Sequence, residues 1–414
     1  MRIGLFTESY DPVINGVSTS VKTLAMELAQ AGHEPVIVAP SYPDFEDAAA
    51  GSDGVTVLRM PSWRTPFNPE NPFAYPPMGP MPSLLRNATF DVIHTQQPFG
   101  MGRHGRACSR RLHVPLVSTF HTMYTEYSHY FPFVSRETAR WWLGVQLRRY
   151  YQTCDAVVVP SRAAGKLLSS IGVTPERLEV VPTGVPLAPM VVPAALEQAR
   201  RSYSLPKQAP ILLFVGRLAR EKNLDLLLQT FSELCLSDWL SLPSAEHPVL
   251  LLVGSGPYLA ACREWVREVG IEPWVRFAGF LSRTELAPIY TVATLFVFPS
   301  STETQGVVLS EAQSFGLPCV LAKGGGASEF VRANVDALVV APKVEDFADA
   351  IRTLLNDPVR RRQFADAGRQ SPLRPTPSGM AQHLLDLYTV TKNARSQGEF
   401  PSERASIHHS SFGD

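Results

Sequence analysis

Apolar residues in this chain fall into short unbroken runs, separated by stretches with helical spacing. The run from Arg2 to Phe6, RIGLF, predicts a buried strand. In the stretch that follows, Val21, Leu24, Ala25 and Leu28 recur at helical spacing, and Gly32 is a C-cap candidate. EPVIVAP predicts the next strand. The same order returns in FDVIHTQ, a helix near residues 101–112, and PLVSTFH. Continuous apolar strands alternating with helices imply a parallel sheet.

A proline-rich stretch, VVPTGVPLAPMVVP, interrupts the alternation. It restarts with ILLFVG, the helix NLDLLLQTFSELCL, and PVLLLVGSG. Further strands are expected at VRFAGF, LFVFPS and PCVLA, with helices at PYLAACREWVREVG, RTELAPIYTVA and VLSEAQSFG. The expected architecture is α/β: two facing, doubly wound Rossmann-like domains, residues 1–190 and 200–372, with a cleft between them. A late helix at 376–396 is set apart by prolines, and the polar tail 397–414 is expected to be disordered.

Composition narrows the class. Lys+Arg and Asp+Glu are equal at 38 each, so charge makes no global case for nucleic acid. Cys108, Cys154, Cys235, Cys262 and Cys319 form no C-x-x-C, which predicts free thiols and no zinc site. The apolar run near Met1 is too short for a signal peptide, and none approaches the ~20 residues of a spanning helix. A cytoplasmic protein, or one peripheral to a membrane, is expected.

Candidate chemistry gathers where predicted strands end. Asn15 and Gly16, in ESYDPVINGVSTSV, open a helix whose N-terminus suits an anion; an ordinary capped turn fits the same residues. This loop lacks the G-x-G-x-x-G of a nicotinamide-binding turn. Arg217 and Lys222, in VGRLAREKNLD, pair a guanidinium fork with a point charge, as a diphosphate requires; a solvated surface loop is the alternative. Gly254 and Gly256 allow close approach of a ligand, or make a tight turn.

Glu303 and Glu311 stand in ETQGVVLSEA with seven residues between them. On one helix that separation would rotate the second by about 80° from the first, so the pair would not share a face. A loop carboxylate and a helix carboxylate converging on one cleft is the better picture, with Gly306 and its neighbours presenting main-chain N–H groups. No His or Asp cluster accompanies them, so no metal site is expected. His94 and His121 end strands of the first domain, at the cleft mouth or in structural hydrogen bonds. HTMYTEYSHYF is rich in aromatic residues: Tyr124, Tyr127, Tyr130 and Phe131. The helix beyond it sets Trp141 and Trp142 among Arg136, Arg140, Arg148 and Arg149, which suits a membrane interface or a core helix with a basic face.

Taken in order, NGVSTSV, VPSRAAGKLL, VVPTGV, VGRLAREKN, LLLVGSGP and ETQGVVLSE resemble the retaining GT-B glycosyltransferases of family 4, over most of the chain. The resemblance implies that Arg217 and Lys222 bind the diphosphate of a nucleotide-sugar, and that Glu303 contacts sugar hydroxyls. It implies that the main chain at Gly306, Val307 and Val308 closes on sugar and phosphate, that Glu311 holds the ribose, and that Gly16 lies by the diphosphate and acceptor. His121 would sit beside the transferring sugar, and the last helix would return to the first domain. Neither metal nor other cofactor is implied; the co-substrate is a nucleotide-sugar. Within the family, TFHTMYTEYSHY is most similar to the diacylglycerol glucosyltransferases, which implies UDP-glucose, a lipid acceptor and an anionic membrane surface. Related mannosyl- and sulfoquinovosyl-transferases share the first loop. The competing readings are such a mannosyl- or sulfoquinovosyl-transferase with another donor or acceptor, a nicotinamide oxidoreductase, and a non-catalytic sugar-binding scaffold.

Overall fold

The computed structural model describes residues 1–42, 45, 47, 54–65, 68–74, 83–122, 135–243 and 246–397. Tyr124, Tyr127, Tyr130 and Phe131 lie outside the described residues, as does the tail from 398.

Two parallel sheets carry the chain. The first is built from β1 (Arg2–Phe6), β2 (Glu34–Pro40) and β3 (Thr56–Met60), and, after an antiparallel pair β4 (Ser62–Thr65) and β5 (Asn68–Ala74), from β6 (Val92–Thr95), β7 (Leu116–Thr119), β8 (Ala156–Val159) and β9 (Leu178–Val180). Its spatial order is β3-β2-β1-β6-β7-β8-β9. The connecting helices are α1 (Gly16–Gln30), α2 (Ser83–Arg86), α3 (Gly100–Leu112), α4 (Arg136–Tyr151) and α5 (Arg162–Ser170).

The second body opens with α6 (Pro193–Ser202), β10 (Ile211–Val215), α7 (Leu224–Ser237), β11 (Val249–Val253), α8 (Leu259–Val269), β12 (Val275–Gly279) and α9 (Arg283–Val292). It continues with β13 (Leu295–Phe298), α10 (Val307–Ser314), β14 (Cys319–Ala322), β15 (Ala337–Val340), α11 (Val344–Asn356) and α12 (Pro358–Arg369). The sheet order is β12-β11-β10-β13-β14-β15. The last helix, α13 (Pro377–Ser396), packs beside α1 on the first sheet.

Runs such as Ile211–Val215 and Leu295–Phe298 are buried along their whole length because helices cover both faces of a parallel sheet. Phe214, Phe231, Phe296, Phe298 and Phe347 fill the second core. On the first sheet, Leu5, Val21 and Leu28 meet Leu384 and Tyr388 of α13 on one face, while Phe6, Met101, Leu147 and Tyr151 pack on the other. All five cysteines are buried and unbridged.

Strand order reverses between β1 and β6 in one sheet and between β10 and β13 in the other. At such a switch point neighbouring loops leave in opposite directions and open a crevice at the carboxyl ends. The loops after β10 and β13 therefore flank one crevice, and those after β1, β6 and β7 line the facing one.

Candidate functional site

The loops after β10 and β13 are tied directly to each other. After β10 the chain passes Arg217 and makes a 3-10 turn at Arg220–Lys222; Asn223 then takes a left-handed conformation and starts α7. Lys222 Nζ donates to Glu303 Oε1 at 2.5 Å, from the loop after β13. Their side chains are 19% and 14% exposed, so the pair is only partly screened by water. Thr302 Oγ1 donates to the main-chain oxygen of Glu221 at 2.9 Å, a second tie between the loops. Arg217 stands half-exposed, 4.0 Å from the buried Glu221 carboxylate, whose two oxygens have no hydrogen-bond partner among the described residues.

Gly306 has φ 75°, and a Cβ there would lie 2.9 Å from the Ala327 methyl, so both backbone and space require glycine. It begins α10, whose N-terminus no side chain caps, leaving main-chain N–H groups and the positive dipole end facing the loop. Glu311 lies on the helix proper and accepts from Tyr290 Oη at 3.1 Å. Burial pushes its carboxyl up, while Arg283 and the Tyr290 hydroxyl pull it back. Glu303 and Glu311 thus have separate partners and do not form a proton-sharing couple.

Gly254 and Gly256 turn out to be crowded by protein. A Cβ on Gly254 would meet Gly216 O at 1.9 Å, and one on Gly256 would meet Leu218 O at 2.3 Å. Their close approach is to the loop after β10. Asn15 is likewise committed locally: its side chain accepts from Val17 N and Ser18 N, and Ser18 returns the bond, a capping box on α1.

His121 follows β7. Its Nε2 lies 2.7 Å from Gln96 Oε1, so Nε2 carries the proton and Nδ1 is left as an acceptor. Burial holds the ring down to about 4, hence neutral at ordinary pH. Thr304 Oγ1 reaches across the cleft and donates to His121 O at 3.0 Å.

His94 does not point into the cleft. Its Nδ1 sits 2.6 Å from Tyr388 Oη of α13 and its Nε2 2.7 Å from Thr119 Oγ1. Burial, with a smaller contribution from His121, lowers it to about 3. Because the folded value lies below the ordinary 6.5, the stability His94 contributes is complete above pH 6.5 and is lost as pH falls toward 3. His94→Gln should cost about 2 kcal/mol at pH 8. The gap from the unmodified protein should narrow by up to about 1.4 kcal/mol per pH unit below pH 6. Urea titrations across pH test this, and parallel stability curves would refute it.

Glu8, after β1, escapes sequence reasoning. Its Oε1 accepts from Met101 N at 2.5 Å at the start of α3, and its Oε2 is buried with no hydrogen-bond partner among the described residues. Burial pushes the carboxyl up to about 7, against the pull of that N–H. An isolated acid in a loop gives no periodic signal.

On α4, Leu143, Leu147, Tyr150 and Tyr151 are buried, whereas Trp141 is 70% and Trp142 45% exposed, with Arg148 and Arg149 exposed about two turns further along. Among the described residues no three His, Cys, Asp or Glu groups could hold a metal, and no helix is long and apolar enough to cross a membrane.

Residues 14–188 match the profile of Glycosyltransferase Family 4 and residues 196–371 that of Glycosyl transferases group 1. The alpha-monoglucosyldiacylglycerol synthase of Streptococcus pneumoniae is 32% identical over 374 residues, 84% of this chain and 80% of that protein. The chain belongs to glycosyltransferase family 4. This family 4 enzyme is also 30% identical to a GDP-mannose-dependent alpha-mannosyltransferase of Mycobacterium tuberculosis, over 95% of this chain and 98% of that one. In fold, the family 4 enzyme matches the Anabaena protein HepE, solved with UDP and glucose, at TM-score 0.72 and 18% identity, over 94% and 99% of the two chains.

Proposed function

We propose that the enzyme moves a glucosyl group from UDP-glucose to a diacylglycerol-like lipid at a membrane surface, with retention at the anomeric carbon. The observation that carries the reading is the Thr304–His121 bond. It brings the turn holding Glu303 against the end of β7, so a sugar held by the second domain meets an acceptor lying on the first.

In this reading Arg217 and Lys222 take the donor diphosphate, and the uncapped start of α10 adds N–H groups at Val307 and Val308. Charge that develops on the leaving phosphate is met by groups already in position, usually the largest catalytic contribution. Glu303 and the neutral His121 orient sugar hydroxyls. The departing phosphate helps remove the acceptor proton on the same face, so no enzyme nucleophile is required. Glu311 accepts from the ribose, so Glu311→Gln should weaken UDP binding about tenfold, the scale of one charge-assisted hydrogen bond, with little change in the maximal rate. Calorimetry against steady-state rates separates the two effects.

The lipid acceptor is supported by the similarity to the pneumococcal synthase and by α4, which exposes Trp141 and Trp142 and, further along, Arg148 and Arg149, a combination suited to an anionic interface. The deciding experiment incubates the protein with labelled UDP-glucose and vesicles containing diacylglycerol and anionic lipid, with GDP-mannose in parallel. A glucolipid is expected. A product formed only from GDP-mannose overturns the donor, and transfer that is indifferent to the lipid overturns the acceptor.

A further inference from the structure

Gln305 lies between Thr304 and Gly306 in the turn just described, and its carboxamide is used for something other than a ligand. Its Oε1 accepts from Thr183 N at 2.8 Å and its Nε2 donates to Thr183 O at 2.9 Å. The amide thus closes a two-bond ring on the main chain of a residue 122 positions away. Gln305 is 2% and Thr183 5% exposed, so water cannot substitute for either bond.

Thr183 is where the first domain hands the chain to the second. Its hydroxyl lies 3.1 Å from Ser20 Oγ of α1. Two residues on, Val185 N donates to Pro375 O at 2.9 Å, joining the outgoing chain to the segment that returns to α13. The turn is held from its other side as well. Gly326 N donates to Glu303 O at 2.7 Å, and nearby Glu329 accepts from Arg162 N and Ala163 N at 2.9 and 2.7 Å, capping α5 of the first domain.

We propose that Gln305 is a positioning residue for the transfer step: it registers the Glu303–Gly306 turn on the first domain. The inference rests on the glycosyl-transfer reading above. Donor affinity comes from Arg217, Lys222 and Glu311, all within the second domain. Gln305 instead fixes where that bound donor stands relative to His121 and the acceptor. Small displacements of reacting atoms cost rate steeply and binding little.

Gln305→Leu preserves bulk and removes both bonds. Its maximal rate should fall about 10–100-fold, with donor KM and UDP affinity within about threefold of the unmodified protein. Gln305→Glu supplies a signature that a packing role would not. A buried carboxyl rises in pKa, and only its protonated form both accepts from Thr183 N and donates to Thr183 O. Its rate relative to the unmodified protein should therefore climb as pH is lowered from 8 to 6, at temperatures well below both melts. Amide exchange at Thr183 should accelerate in the Leu variant and show whether the ring has opened. The donor used is whichever nucleotide-sugar the unmodified enzyme transfers. Failure of the UDP-glucose assignment then appears in that enzyme, and failure of this inference only in the variant-to-parent ratio. An unchanged rate with accelerated exchange overturns the proposal, as does a loss of UDP affinity matching the loss of rate.

Discussion

Lys222→Ala should lose sugar transfer by about 10²–10³-fold while keeping its circular dichroism spectrum. Nζ is held on Glu303 at 2.5 Å, which fixes the ammonium at the crevice where the proposed function puts the donor diphosphate. An alanine removes a preorganised cation from a site only partly open to water, where its field on a developing phosphate charge is strong. The change also strands Glu303, which is 14% exposed, beside no counter-ion. That should destabilise the fold by about 1–3 kcal/mol, visible as a lower melting temperature. Lys222→Arg is not a neutral control, because a planar fork cannot occupy the place of a point charge. Initial rates at saturating donor and acceptor are the measurement, and near-normal turnover would falsify the diphosphate assignment.

Under the proposed function, in which the carboxylate orients the sugar rather than holding the nucleotide, Glu303→Ala should slow transfer about 10–100-fold at saturating donor. It also removes the 2.5 Å contact that Lys222 makes with the carboxylate. The double variant Lys222→Ala/Glu303→Ala is therefore the sharper test. In stability it should recover part of what either single change loses, because neither charge is then stranded. In rate it should be little slower than Lys222→Ala alone if, as proposed, Glu303 acts on a donor that Lys222 has helped to place. Strict additivity in both quantities would mean that the 2.5 Å contact has no functional weight.

The two-sheet architecture is legible in the sequence because runs such as ILLFV and LFVF are long enough to show an unbroken apolar pattern. Elements without such a run are not. β9 has three residues of alternating exposure, and β4 and β5 pair at the edge of the first domain without an apolar signature. At the site, spacing showed which loops carry ionisable groups but not what those groups touch. Glu303 reaches a lysine 81 residues earlier, and His94 a tyrosine 294 residues later. Periodicity reports only local geometry, so a bond closed by topology leaves no local trace. Gln305 shows the same limit. It stands inside the ETQGVVLSEA stretch, yet a polar amide between threonine and glycine looks like loop composition until the opposite domain is in view.

The return of α13 also fixes an order of assembly. Tyr388, Leu384 and Leu385 close one face of the first sheet, and Lys392 and Arg395 pair at 2.6 Å with Asp91 and Asp155 on its rim. A ribosome must make the whole second domain before those side chains exist. The first domain therefore waits, with that face unsealed, through the synthesis of residues 193–376, whereas the second can complete its own core without such a delay. Cutting the gene at the linker would give a second half with its own core but with α13 unpacked, and a first half with an open sheet. Appending residues 377–396 to the first half is the change that should make it soluble.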